Sequence, residues 1–92
     1  MSDHRIPKRH PDTAFRIFDG EAVIISPTQN MVRMLNPTGS RIWELADGSR
    51  SIAEIAAILT EEFEVRPEHA PKSARDFVLA LVERDLMTLN SD

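Results

Sequence analysis

The stretch Leu35-Asn36-Pro37-Thr38-Gly39-Ser40-Arg41-Ile42-Trp43-Glu44-Leu45-Ala46-Asp47-Gly48 restricts the fold more than any other part of the chain. One periodicity ends there and another begins. Before it the apolar residues sit in short extended runs; after it they recur at helical spacing. Asn36 or Thr38 is placed to cap a helix, and Asp47-Gly48 ends it, Gly being favoured just past a helix C-terminus. The spacing predicts a helix over about Pro37–Ala46, with Ile42, Leu45 and Ala46 inward and the only tryptophan, Trp43, among them.

Upstream lie three extended runs: Phe15 to Phe18, Ala22 to Ile25, and Met31 to Leu35. Asp19-Gly20 between the first two is a strong hairpin signal. Pro27-Thr28-Gln29-Asn30 supplies a second turn. Short strands joined this way form an antiparallel meander, with Met31–Leu35 expected at its edge. Downstream, Ser51-Ile52-Ala53-Glu54 has the form of a capping box. The helix it opens sets Ile52, Ile55, Ala56, Leu59 and Phe63 on one face. Glu64 to Pro71 reads as a loop. A third helix is expected over about Lys72–Arg84, with Ala74, Phe77, Val78 and Leu81 inward, and Leu86–Leu89 adds a short strand. The fold class is therefore α+β: a three-stranded antiparallel β-meander followed by a three-helix bundle, arranged like a winged helix-turn-helix.

Residues 1–13 have a different character. They hold two prolines, the basic residues Arg5, Lys8 and Arg9, the histidines His4 and His10, and one isolated apolar residue, Ile6. Such a segment is expected to be a flexible arm unless it docks, because it buries too little to offset its ordering entropy. Residues 14–90 then form a single domain, since a chain of 92 residues sustains one modest core.

Composition excludes several function classes. The chain has no cysteine, so disulfides, thiolate nucleophiles and cysteine-based metal sites fall away. Its N-terminus lacks the apolar middle of a signal peptide and no run is long enough to span a bilayer, so a cytoplasmic protein with no membrane partner is expected. His4, His10 and His69 show no metal-ligand spacing. No nucleophile–base set, phosphate loop or paired acid assembles from the rest, and no cofactor, metal or catalytic residue is expected. A winged-helix DNA-binding role is the main alternative, but it needs clustered cations on the reading helix. Lys72, Arg75 and Arg84 are there interleaved with Asp76, Glu83 and Asp85, and the formal net charge is -4.

The third helix carries more apolar surface than one packed face requires. Arg75, Leu79 and Val82 share a flank well away from the core stripe. Either the Leu86–Leu89 tail or a second copy covers that flank, as in a dimeric scaffold, or it borders a groove. If the groove adjoins the edge Met31–Leu35, a guest strand can pair with that edge and rest its side chains on the helix.

Leu35-Asn36-Pro37-Thr38-Gly39 with Ile42-Trp43-Glu44-Leu45 and Asp47-Gly48, then Ser51-Ile52-Ala53-Glu54-Ile55-Ala56, then Phe77-Val78, Leu81 and Leu86, together resemble the PqqD family, over about Phe15 to Met87. These domains recognise the leaders of ribosomally made, post-translationally modified peptides. The resemblance implies that a precursor's leader adds as a strand beside Met31, Val32, Arg33, Met34 and Leu35, against Arg75, Leu79 and Val82. It implies a non-catalytic chaperone that presents the precursor to a modifying enzyme such as a radical S-adenosylmethionine protein, as in pyrroloquinoline quinone biosynthesis. One departure stands out: Asp85 precedes Leu86 where many relatives have Gly, at a helix exit that favours a left-handed residue.

Overall fold

Asp-Gly dictates the first turn of the meander. In the computed structural model, which describes residues 3–26 and 29–90, Asp19 and Gly20 both have positive φ, 51° and 78°. That is the backbone of the two-residue hairpin turn that matches the twist of its strands. It joins β2 (Ala14–Phe18) to β3 (Glu21–Ser26), with Phe18 opposite Glu21. Antiparallel β4 (Met31–Met34) follows, with Ile24 opposite Arg33 and Ile25 opposite Val32. Pro27 and Thr28 of the expected second turn lie outside the described residues; Asn30 carries its left-handed position, φ 51°.

The strand stops at Met34 because α1 (Pro37–Leu45) takes over its partners. Leu35 N–H still donates to Ala22 O (2.9 Å). The matching Ala22 N–H instead donates to the buried Ser40 hydroxyl (2.6 Å). Asn36 is the N-cap, accepting from Gly39 N–H at 2.7 Å. The capping box forms as the sequence predicts: Ser51 and Glu54 satisfy each other's backbone at the start of α2 (Ile52–Glu62). Then α3 spans Ala70–Glu83, starting earlier than expected because Pro71 sits in its first turn, where a missing N–H costs nothing. Its exit is a left-handed Asp85 (φ 58°) in a Schellman arrangement, with Leu86 N–H on Leu81 O and Asp85 N–H on Val82 O.

The N-terminal segment docks. Ile6–Arg9 is strand β1, antiparallel to β5 (Met87–Asn90) in a second, two-stranded sheet. Two devices hold it. Arg9 donates from one guanidinium nitrogen to the carbonyls of Trp43 and Glu44 (2.8 Å each), neutralising the C-terminal end of α1. The same guanidinium lies 5.1 Å from the Phe15 ring centre, and Phe15 meets Trp43 edge-on at 5.8 Å. The architecture is thus α+β, with three helices and two antiparallel sheets. The core of Ile24, Trp43, Ile52, Ile55, Leu59, Val78, Leu86 and Met87 lies between helices and sheets.

Candidate functional site

The candidate site is the open side of β4. In the three-stranded sheet the order is β2-β3-β4, so β4 has a neighbour on one side only. Register decides which of its backbone groups are spare. The Asp19-Gly20 turn makes Phe18 and Glu21 a hydrogen-bonded pair, and pairs alternate along the strand. Ala22, Ile24 and Ser26 therefore direct their backbone groups at β4, as the Leu35–Ala22 bond confirms. Arg33 and Met31, opposite Ile24 and Ser26, turn their N–H and C=O inward to β3. Val32 and Met34 turn theirs outward.

Those two residues are 68% and 69% exposed. They stand on the outer face of the sheet with Ile25 and Phe18, also exposed, whereas Ile24 on the inner face is buried. Arg33 shares the inner face with Ile24 and is half-buried. Its Nε is one of two buried side-chain nitrogens or oxygens without a hydrogen-bond partner among the described residues; Trp43 Nε1 is the other.

Two contacts fix which side of α3 runs beside β4. Just past the end of β4, a Cβ built on Gly39 would lie 2.7 Å from Phe77 Cε2, so the ring rests directly on the bare helix turn. Just before β4, Gln29 Nε2 donates to the Arg84 carbonyl. Phe77 and Arg84 are seven residues apart, two helical turns, so they share a face. α3 therefore runs antiparallel to the course of the chain from Gln29 to Gly39, with Phe77 at the Gly39 end and the Arg84 carbonyl at the Gln29 end. Phe77 is half-buried; Ala80 and Arg84 are exposed.

Of the residues singled out from sequence, Met31, Val32, Arg33 and Met34 form β4, and Leu35 is buried just beyond it. Arg75, Leu79 and Val82 are not brought beside them. At 100° per residue they lie roughly opposite the Phe77–Arg84 direction. Arg75 is close enough to Asp3 to help lower that carboxyl's pKa, after the larger effects of Arg5. Val82 packs on the core together with Leu89 of the tail. Phe77, assigned to the core stripe from periodicity, does pack against the core, and its half-buried ring also rests on the Gly39 turn. The cations of α3's first turns are engaged otherwise: Lys72 pairs with Asp76 at 2.7 Å and holds that carboxyl below its ordinary range.

The sequence matches the family model for coenzyme PQQ synthesis protein D (PqqD) over residues 21–87. No curated protein matches it. Among solved structures it resembles TbiB1 in complex with the TbiA(beta) leader peptide, with a TM-score of 0.79 and 26% identity over 87% of this chain and 93% of that one. It also resembles lasso peptide synthetase B1 complexed with the leader peptide, with a TM-score of 0.78 and 23% identity over 89% and 96%. The family match begins at the first residue of β3 and ends at the first of β5, taking in β4 and all three helices. The chain belongs to the PqqD family.

Proposed function

We propose that this protein binds the leader segment of a ribosomally made precursor peptide as a strand added to β4, and acts as a non-catalytic adaptor that presents the precursor to a modifying enzyme. The observation that carries the reading is the spare backbone of Val32 and Met34 beside the Phe77 side of α3. Strand addition needs an unpaired edge for main-chain hydrogen bonds and a neighbouring surface for alternate side chains. The outward backbone of β4 and the Phe77 side of α3 support this use. The likeness to TbiB1, whose structure holds a leader peptide, supports the same use of the frame. The binding unit is residues 14–90 with the preceding segment docked against it. Its three helices and second sheet serve as a winged helix-turn-helix frame turned to peptide.

The peptide-contacting strand is Met31, Val32, Arg33, Met34 and Leu35. On the helix the contacts come from Phe77, Ala80 and Arg84, in place of the flank Arg75, Leu79 and Val82. The partner enzyme, on the family resemblance, is of the radical S-adenosylmethionine type. The test is a titration of labelled protein with the precursor encoded beside its gene, read by amide shifts and hydrogen exchange. Val32 and Met34 amides should gain protection while those of Met31 and Arg33, already bonded inward, change little. Protection confined to β1 or β5 would reject the β4 edge.

A further inference from the structure

We infer that Arg33 selects the guest: the peptide carries an aspartate or glutamate opposite Arg33, with apolar residues two positions away on either side. This rests on strand addition at β4 and adds to it a substrate class. Because Val32 and Met34 hold the outward backbone groups, a guest in antiparallel register exchanges its hydrogen bonds with them. The guest residue opposite Arg33 then falls in a non-hydrogen-bonded pair, the closer of the two kinds. Residues directly opposite point to the same face. That guest side chain enters the groove between sheet and α3, next to the Arg33 guanidinium.

The guanidinium is short of a partner there. Its Nε is the one described Lys or Arg side-chain nitrogen that is buried without a hydrogen-bond partner, whereas Arg5, Arg41, Arg50 and Lys72 pair with Asp3, Glu62, Asp47 and Asp76. A buried donor left unmade carries a desolvation cost, larger when the group is charged. A guest carboxylate meets the guanidinium through its terminal nitrogens, which are not among the buried atoms, and gives the charge the partner it lacks, its two oxygens matching the planar fork of an arginine. The flanking positions follow from the period of two. Guest residues opposite Met31 and Leu35 point into the same groove, one toward half-buried Met31 and the other toward the Phe77 ring on Gly39. The remainder of the protein does not attract acidic peptides, because its formal net charge is -4. An acidic preference has to come from a local cation.

The test pans a displayed library of random twelve-residue peptides against the full chain and against Arg33→Glu. The wild type should enrich peptides with Asp or Glu flanked at plus and minus two by apolar residues. Arg33→Glu should enrich Lys or Arg at that central position. A synthetic copy of the best wild-type peptide, fluorescein-labelled, is then compared with its Glu-to-Gln form by anisotropy. On the wild type the Gln form should bind roughly ten- to a hundredfold more weakly. On Arg33→Gln, a milder change that keeps the fold if the reversal does not, the two peptides should bind alike, the sign of direct coupling. Enriched peptides that protect the Val32 and Met34 amides but show no acidic position, or a Glu-to-Gln loss that persists in Arg33→Gln, would overturn the role of Arg33 and leave strand addition standing. Failure to enrich any peptide, or enrichment without protection of those amides, would overturn both.

Discussion

The two sheets of this protein are built alike and finished differently. β1 is paired on both sides: with β5, and with the segment after α1, through Arg9 N–H on Ala46 O, Gly48 N–H on Pro7 O and, just upstream, Ile52 N–H on Arg5 O. Pro7 and Met87 on its inner face are buried. The meander ends on β4, four residues with one side open and two apolar side chains in solvent. An open edge is a hazard that proteins commonly cover. This chain covers the outer edge of β1 with the segment after α1, and of the meander's two edges, β2 and β4, it is β4 that lies near a half-buried aromatic ring and carries an arginine whose Nε has no hydrogen-bond partner among the described residues. The contrast separates a sheet that holds the fold from a sheet that is available to a guest.

Removing residues 1–10 tests the first half of that contrast and should have the largest effect. It exposes the face beneath Pro7, strips β5 of its partner and uncaps α1 where Arg9 bonded two carbonyls. The expected loss is about 3–5 kcal/mol of folding stability, read from denaturant unfolding through the fluorescence of Trp43. A change below about 1 kcal/mol would show that β1 is not a fastening. The second half is tested by proline. Met34→Pro deletes an outward N–H and leaves the bonds of Arg33 to β3 in place, so stability should change by less than about 1 kcal/mol while peptide affinity falls by about 2–3 kcal/mol. Arg33→Pro removes an inward donor and should do the reverse, lowering stability by about 1–3 kcal/mol. Equal peptide binding by Met34→Pro and the wild type would mean that the guest docks elsewhere.

Next in size is a pair of helix substitutions. Phe77→Ala removes the groove wall and should weaken binding by about 1–3 kcal/mol, as expected for truncating an apolar anchor. Leu79→Asp should cost less than about 0.5 kcal/mol, although an apolar arc read from sequence gives Leu79 the larger effect. Isothermal titration with the same peptide ranks the two, and the reverse order would return the site to the Arg75–Leu79–Val82 flank.

That pair also shows how much was legible in the sequence. The meander, its Asp-Gly turn, the capping box and the three helices follow from local chemistry that acts within a few residues. The edge position of β4 follows from strand order. The roll of α3 does not, because a helical projection shows that apolar surface is in excess without showing which neighbour it meets. Gly39 against Phe77 is a contact between residues far apart in the chain, and it shows which side of α3 meets the first turn of α1. β1 escaped for a similar reason. Ile6-Pro7-Lys8-Arg9 has no strand pattern of its own, and its partner Met87–Asn90 lies at the far end of the sequence. Arg33 was singled out only as part of an edge; its unpaired Nε depends on the register and on the packing of α3.

Acid should sharpen the comparison with the smallest effect. The β1 side leans on carboxylates. Asp3 is held below its ordinary range chiefly by a side-chain hydrogen bond from Arg5, and Glu54 chiefly by the backbone N–H of Ser51. Ile52 and Ala53, at the start of α2, donate their N–H groups to the carbonyls of Arg5 and Asp3. A carboxyl with a lowered folded pKa stabilises the fold fully above its unfolded value, about 4, and that contribution is lost as the pH falls through the folded value. Among the described residues no ion pair involves β2, β3 or β4. Between pH 5 and pH 3, amide spectra should therefore show Ser51, Ile52 and Ala53 broadening or losing protection before the β3–β4 ladder does. Earlier loss in the ladder would make the meander the weaker sheet in its own right, and its open edge would then reflect marginal pairing and not a place kept for a guest strand.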